Sequence, residues 1–177
     1  MGSFKIGSVK PKKVNINGEK CKKITVNGTT VWTAEESKSD LSASCFNYYE
    51  YKSTVSGTSS VSWDLSGFDS VSFSWSLRTD MSWSNAYGVG STTTVYLKLA
   101  DGTTIKVGSH TGGLFVAGSA YEKSGTKTVN LTGYTDAQKK SVKLYVTLGD
   151  MIVDEAHWQP NADRHNASAS ITNAIAS

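Results

Sequence analysis

Arg78, Asp80, Trp83, Asn85 and Tyr87 fall within the stretch RTDMSWSNAYGVGST, residues 78–92, which lacks the periodicity of a buried strand. These residue types share a chemistry. Aromatic faces pack against the C–H faces of pyranose rings, while guanidinium, carboxylate and carboxamide groups select hydroxyls. A loop of this content reads as a carbohydrate-binding site. The competing reading is that Trp83 folds back as a cap or fills a subunit interface, where Trp and Tyr are also enriched.

No catalytic constellation accompanies the loop. The sequence contains no G-x-S-x-G, H-E-x-x-H or G-x-x-x-x-G-K-[ST]. His110, His157 and His165 share no ligand spacing, and no cysteine spacing resembles a zinc site. Asp154 and Glu155 are adjacent, so on a strand they face opposite ways and cannot act as a hydrolase pair. Either could give an oxygen to a structural Ca²⁺, the one cofactor left open. Cys21 and Cys45 lie in different predicted modules and read as small, reduced, partly buried side chains. A non-enzymatic protein is expected.

The elements that must position these residues are strands. In WDLSGFDSVSFSWSL, residues 63–77, Val71, Phe73, Trp75 and Leu77 alternate with serines. Successive strand side chains point to opposite faces, so this strand puts two aromatics into a core. Trp63 and Trp75 are assigned to that core. Leu65-Ser66-Gly67-Phe68 ahead of it has a counterpart in Leu131-Thr132-Gly133-Tyr134, ahead of the alternating run 142–146. The two strands are therefore expected at corresponding places in a sandwich. Further signals are a hairpin over Asp101-Gly102, strands at 61–65, 93–99, 103–107, 127–131, 142–148 and 151–156, a turn at 57–60, a glycine-rich loop at 108–118 and one helical turn near 135–140.

Residues 1–33 stand apart. Lys13-Val14-Asn15-Ile16-Asn17-Gly18 returns ten positions on as Lys23-Ile24-Thr25-Val26-Asn27-Gly28. Asn-Gly supplies the positive φ angles of a tight hairpin, so the segment reads as a small β-meander with Trp32 in a third strand. Such a unit is too small to stand alone and must pack on something. It also holds seven lysines against one glutamate, which leaves the rest of the chain net negative. With no arginine and no interleaved aromatics, that basic patch points to a solvated or docking face rather than to nucleic acid. Lys12, Lys13, Lys22, Lys23 and Trp32 are its candidate docking residues.

The expected organisation is an attachment module at 1–33, a polar linker at 34–40, a two-sheet jelly-roll sandwich at 41–158, and a flexible or subunit-exchanging tail at 159–177. With 38% hydrophobic and 19% charged residues, the 177-residue chain suits an all-β, turn-rich protein. No apolar run approaches a membrane span, and the first residues lack a signal-peptide core.

Two resemblances add to this reading. The run Ile6-Gly7-Ser8-Val9-Lys10-Pro11-Lys12-Lys13, the two Lys-x-x-x-Asn-Gly copies and Val31-Trp32 resemble an N-terminal element of structural proteins of tailed bacteriophages. That resemblance implies a virion tail, fibre or capsid-surface component, assembled in the host cytoplasm, released by lysis, contacting other virion proteins and homo-oligomeric. Residues 64–71, 128–134 and 151–154 are similar to jelly-roll carbohydrate-binding modules attached to glycoside hydrolases. This second likeness implies a fold and, through it, host surface glycan as a partner. It transfers no binding residue by position. A capsid decoration or head-fibre protein and a free-standing bacterial carbohydrate-binding module are the alternatives.

Overall fold

The structure, a computed structural model, describes residues 14–48, 54–82, 88–89, 92–111, 114–115, 120–149, 152–153 and 164–177. It is an all-β sandwich. The chain enters through two hairpins, β1 (Val14–Ile16) with β2 (Glu19–Cys21) and β3 (Lys23–Val26) with β4 (Thr29–Thr33). Both turn through Asn-Gly with positive φ at each residue: 53° and 84° at Asn17 and Gly18, 49° and 77° at Asn27 and Gly28. This is the geometry the dipeptide favours.

The chain then alternates between two sheets in jelly-roll manner. It runs through β5 (Glu36–Lys38), β6 (Leu41–Tyr48), β7 (Val55–Thr58), β8 (Ser70–Ser82), β9 (Gly88–Val89), β10 (Thr92–Lys98), β11 (Thr104–Thr111), β12 (Leu114–Phe115) and β13 (Ala120–Asn130). A single helical turn, α1 (Asp136–Lys139), precedes β14 (Lys143–Leu148), β15 (Ile152–Val153) and β16 (Arg164–Ala176). One sheet has the order β13-β8-β16-β5, with β6 also pairing with β16; the other is β11-β10-β14-β7. Strands β12, β9 and β15 form a small third sheet.

The organising strand is β8. Val71, Phe73, Trp75 and Leu77 are buried, and Trp63 packs on Phe73 with ring centroids 6.2 Å apart. Facing them are Val95 and Leu97 of β10 and Leu144, Val146 and Leu148 of β14, all fully buried. The two related turns match in detail. Asp64 Oδ1 accepts from Ser66 N at 2.9 Å and Asn130 Oδ1 from Thr132 N at 2.9 Å. Phe68 N and Tyr134 N return to Leu65 O and Leu131 O at 3.2 and 3.1 Å. Turn 64–68 leads into β8 of one sheet and turn 130–134 into β14 of the other. The helical turn carries a capping box between Thr135 and Gln138.

Several boundaries differ from the sequence reading. The 34–40 linker is part of the sandwich: Ala34 is fully buried and β5 pairs with β16. The segment 159–177 is not a flexible or exchanged tail over its described part. β16 is an interior strand of the same chain, paired with β8 on one side and, on the other, with β6 over Arg164–Ile171 and β5 over Ala174–Ala176. The sandwich accordingly runs to the last residue rather than ending at 158. Residues 57–58 belong to β7 rather than to a turn, because Gly57 lets this strand abut β6, where a Cβ would lie 1.9 Å from Ser44 O. In place of a strand at 61–65 there is an isolated bridge between Trp63 and Val142. Gly108 lies within β11, not in a loop. Cys21 is half-buried, Cys45 is buried, and both are free thiols.

Candidate functional site

The sequence placed Arg78 and Asp80 in a loop. The structure places them in the C-terminal half of β8, a 13-residue strand, with both side chains on the outer face of the sheet. Strand register builds the site. Phe46, Asn166, Asp80 and Ala120 form one row across β6, β16, β8 and β13, and Ser44, Ser168, Arg78 and Glu122 form the next. A third row is Ser42, Ser170, Ser76 and Ser124. Because the serines of the second and third rows are small, those rows leave an open groove of about 770 Å³ over the sheet, bordered by Thr58 and Ser60 at its β7 side, with the first row just beyond its end.

Its charged end is internally organised. Arg78 Nη1 donates to Glu122 Oε1 at 2.5 Å, and Arg78 Nε donates to Asp80 Oδ2 at 3.3 Å. Asn166 Nδ2 donates to the other carboxylate oxygen, Asp80 Oδ1, at 2.7 Å. These contacts, first with Glu122 and then with Asp80, raise the Arg78 pKa above its ordinary value. Around them the serines form ladders, Ser76 with Ser170 at 2.8 Å and Ser72 with Thr128 at 2.8 Å. Phe46, 49% exposed, is an aromatic of this face.

Trp83, Asn85 and Tyr87 of the same candidate set lie outside the described residues, as do Lys12, Lys13, Asp154 and Glu155. Glu122, Asn166 and Phe46 were missed by sequence reasoning. Glu122 and Asn166 join Arg78 and Asp80 only through pairings 44 and 86 residues apart in the chain, and no local pattern announces such a register.

The remaining docking candidates face the chain's own sandwich. Lys22 Nζ donates to Ser66 O at 3.0 Å, pairs with Asp64 at 3.9 Å and lies 5.4 Å from the centroid of Phe68. Lys23 Nζ pairs with Asp69 at 3.0 Å, and Ala34 N donates to Lys22 O at 2.7 Å. Trp32 is 2% exposed and belongs to the hydrophobic core. The hairpins instead present Ile16 and Val26 outward, 55% and 53% exposed and at equivalent positions just before each Asn-Gly. Among the described residues no group of three or more His, Cys, Asp or Glu could hold a metal, and no helix is long and apolar enough to cross a membrane.

No family model and no curated protein matches the chain. It is similar to solved structures of infectious bursal disease virus. The Gt strain structure aligns at TM-score 0.44 and 14% identity over 86% of this chain. The VP2 subviral particle aligns at TM-score 0.45 and 13% identity over 84%, and the virus-derived T=1 particles at 0.44 and 14% over 90%. This chain spans about a third of the length of those chains, 34–36%.

Chemically, the groove and the row beyond its end together offer a planar guanidinium, two carboxylates, a carboxamide and rows of hydroxyls, all held on paired strands. Donors and acceptors already fixed by one another lose little freedom when a ligand replaces water. The set suits a polyhydroxylated ligand.

Proposed function

We propose that the protein is a non-enzymatic virion surface component of a tailed bacteriophage whose sandwich binds host surface glycan in the groove over β6, β16, β8 and β13. The observation that carries the binding half is the Glu122–Arg78–Asp80–Asn166 chain of hydrogen bonds at the groove's end. It adjoins Phe46 across the strands and, along the chain, the segment holding Trp83, Asn85 and Tyr87. The virion half rests on the tandem Lys-x-x-x-Asn-Gly element, whose outward Ile16 and Val26 are the surface left for a neighbouring virion protein once Lys22, Lys23 and Trp32 are used internally. A capsid decoration or head-fibre role shares this architecture. A free-standing bacterial carbohydrate-binding module shares the groove but has no need of the N-terminal element.

The test is binding of the full chain to purified host cell-wall polysaccharides, compared with Arg78→Ala, Asp80→Asn and Trp83→Ala. Loss of binding in all three with thermal midpoints near that of the parent supports the site. Undiminished binding in the Arg78 and Asp80 variants refutes it. Loss of both binding and midpoint in Trp83→Ala alone identifies Trp83 as a structural cap.

A further inference from the structure

The outer face of the second sheet carries a feature that the groove does not use. Tyr96 of β10 stands opposite Tyr145 of β14, with ring centroids 6.1 Å apart and planes tilted 42°. In the next row Lys98 stands directly opposite Lys143. Lys106 stands opposite Tyr96 on β11. Like charges directly opposed on a sheet are destabilising, their Cβ atoms being only about 4.5–5.5 Å apart. No carboxylate among the described residues pairs with any of the three lysines. Lys98 is held instead over the Tyr145 ring, 4.7 Å from its centroid.

Lys98 and Lys143 line a recess of about 480 Å³ together with Thr58, Ser141 and the Asp101-Gly102 turn. Asp101, the carboxylate in that lining, is turned to other work: its Oδ2 accepts from Gln138 Nε2 at 2.7 Å and Thr103 Oγ1 at 2.9 Å, and its Oδ1 from Thr103 N at 2.9 Å. The recess therefore presents two ammonium groups against the single Asp101 carboxylate, an excess of positive charge, with two hydroxyls and a neighbouring tyrosine. Local rules of sheet stability are broken at such places where a ligand restores the balance.

We propose that this recess binds an anionic saccharide, a pyranose unit bearing a carboxylate, sulfate or phosphate. The anion sits between Lys98 and Lys143, the hydroxyls meet Thr58 and Ser141, and the ring lies beside Tyr145. A neutral sugar would leave the excess positive charge of the lining unbalanced. A recess of this size holds a small ligand, in the general range of about 300–1,000 Å³. A single-stranded nucleic acid, by contrast, needs successive open aromatic faces, whereas the two tyrosines are tilted and Tyr145 lies under Lys98. This site meets the Arg78 groove at Thr58, but its lysines and the groove's Arg78 do not overlap, so each can fail without the other.

Calorimetric titration of the full chain with glucuronate-containing oligosaccharide and glucose 6-phosphate tests it, with maltotetraose, inorganic phosphate and a dT oligonucleotide as comparisons. The double variant Lys98→Gln/Lys143→Gln should bind the two charged sugars about tenfold more weakly or worse, with a thermal midpoint equal to or above that of the parent. Arg78→Ala should bind them as the parent does. The proposal is overturned if the double variant binds as the parent does, if no charged sugar binds, or if maltotetraose or the oligonucleotide binds more tightly. Inorganic phosphate binding as tightly as glucose 6-phosphate also overturns it. A lowered midpoint in the double variant with binding retained marks the lysines as purely structural and does the same.

Discussion

Replacing Gly108 by alanine tests how the edge of the sandwich between β11 and β13 is closed. Trp75 projects from β8 so that its indole lies between Gly108 of β11 and Gly125 of β13. A Cβ on Gly108 would sit 2.3 Å from Trp75 Cη2, 2.6 Å from Cζ2 and 2.8 Å from Cζ3, and one on Gly125 would sit 3.2 Å from Nε1. Gly108 is not among the positive-φ glycines, so steric overlap alone decides the cost. Overpacking of this kind costs about 1–3 kcal/mol, whereas Trp75→Ala costs about 3–5 kcal/mol as a large core truncation. With the indole gone, the new methyl enters the cavity it leaves. Gly108→Ala should then be close to neutral, a coupling energy of about 1–3 kcal/mol between the two positions. The assay is urea unfolding of the parent, both single variants and the double variant, followed by far-ultraviolet circular dichroism because Trp75 itself contributes to fluorescence. At roughly 2–4 °C per kcal/mol for a chain of this size, Gly108→Ala alone lowers the thermal midpoint by about 2–12 °C. Equal costs of Gly108→Ala in the two backgrounds would refute the packing argument.

Three further outcomes follow from particular contacts. Trp32→Ala should cost about 3–5 kcal/mol in urea unfolding, because Trp32 is a core residue; a near-neutral result would return it to the surface as a docking residue. Asp136 is held below its ordinary value of 3.8, chiefly by the hydrogen bond from Gly67 N at 2.8 Å and then by Lys139, and Asp101 is lowered chiefly by Gln138. Groups depressed in the folded state contribute stability above their unfolded pKa and lose it as pH falls through the folded one. Stability should thus be flat above about pH 5 in this respect and decline below about pH 4, with Asp136→Asn giving a shallower acid decline; an unchanged decline counts against the assignment. Burial pushes the Cys45 thiol up to about 11. Iodoacetamide at pH 8 should leave Cys45 unmodified in the native protein and alkylate it in urea, and native labelling at that residue contradicts its burial.

What the sequence made legible was local. The alternation at 71–77, the Asn-Gly and Asp-Gly turns, the paired Leu-x-Gly-aromatic turns and the short helix all rest on neighbours in the chain, and each occurs where the pattern put it. β16 was missed for a physical reason. Ala167-Ser168-Ala169-Ser170-Ile171 alternates perfectly, but alanine buries little apolar area and has low strand preference. It is buried there because β8 beside it supplies Phe73, Trp75 and Leu77 to fill the core. Lys22 and Lys23 looked like a solvated face because a lysine's long stem conceals where its ammonium ends, here on Ser66 O and Asp69. Arg78 and Asp80 were found as types, but their partners came from register, which composition does not encode.

The most direct test of the central claim is cryo-electron microscopy of purified tailed-phage particles carrying this protein. The account predicts density for the sandwich on the outside of the particle, seated through the hairpins bearing Ile16 and Val26, with the Arg78–Glu122 groove facing solvent. Particles that lack the protein, or a groove buried against a neighbouring virion protein, would contradict it.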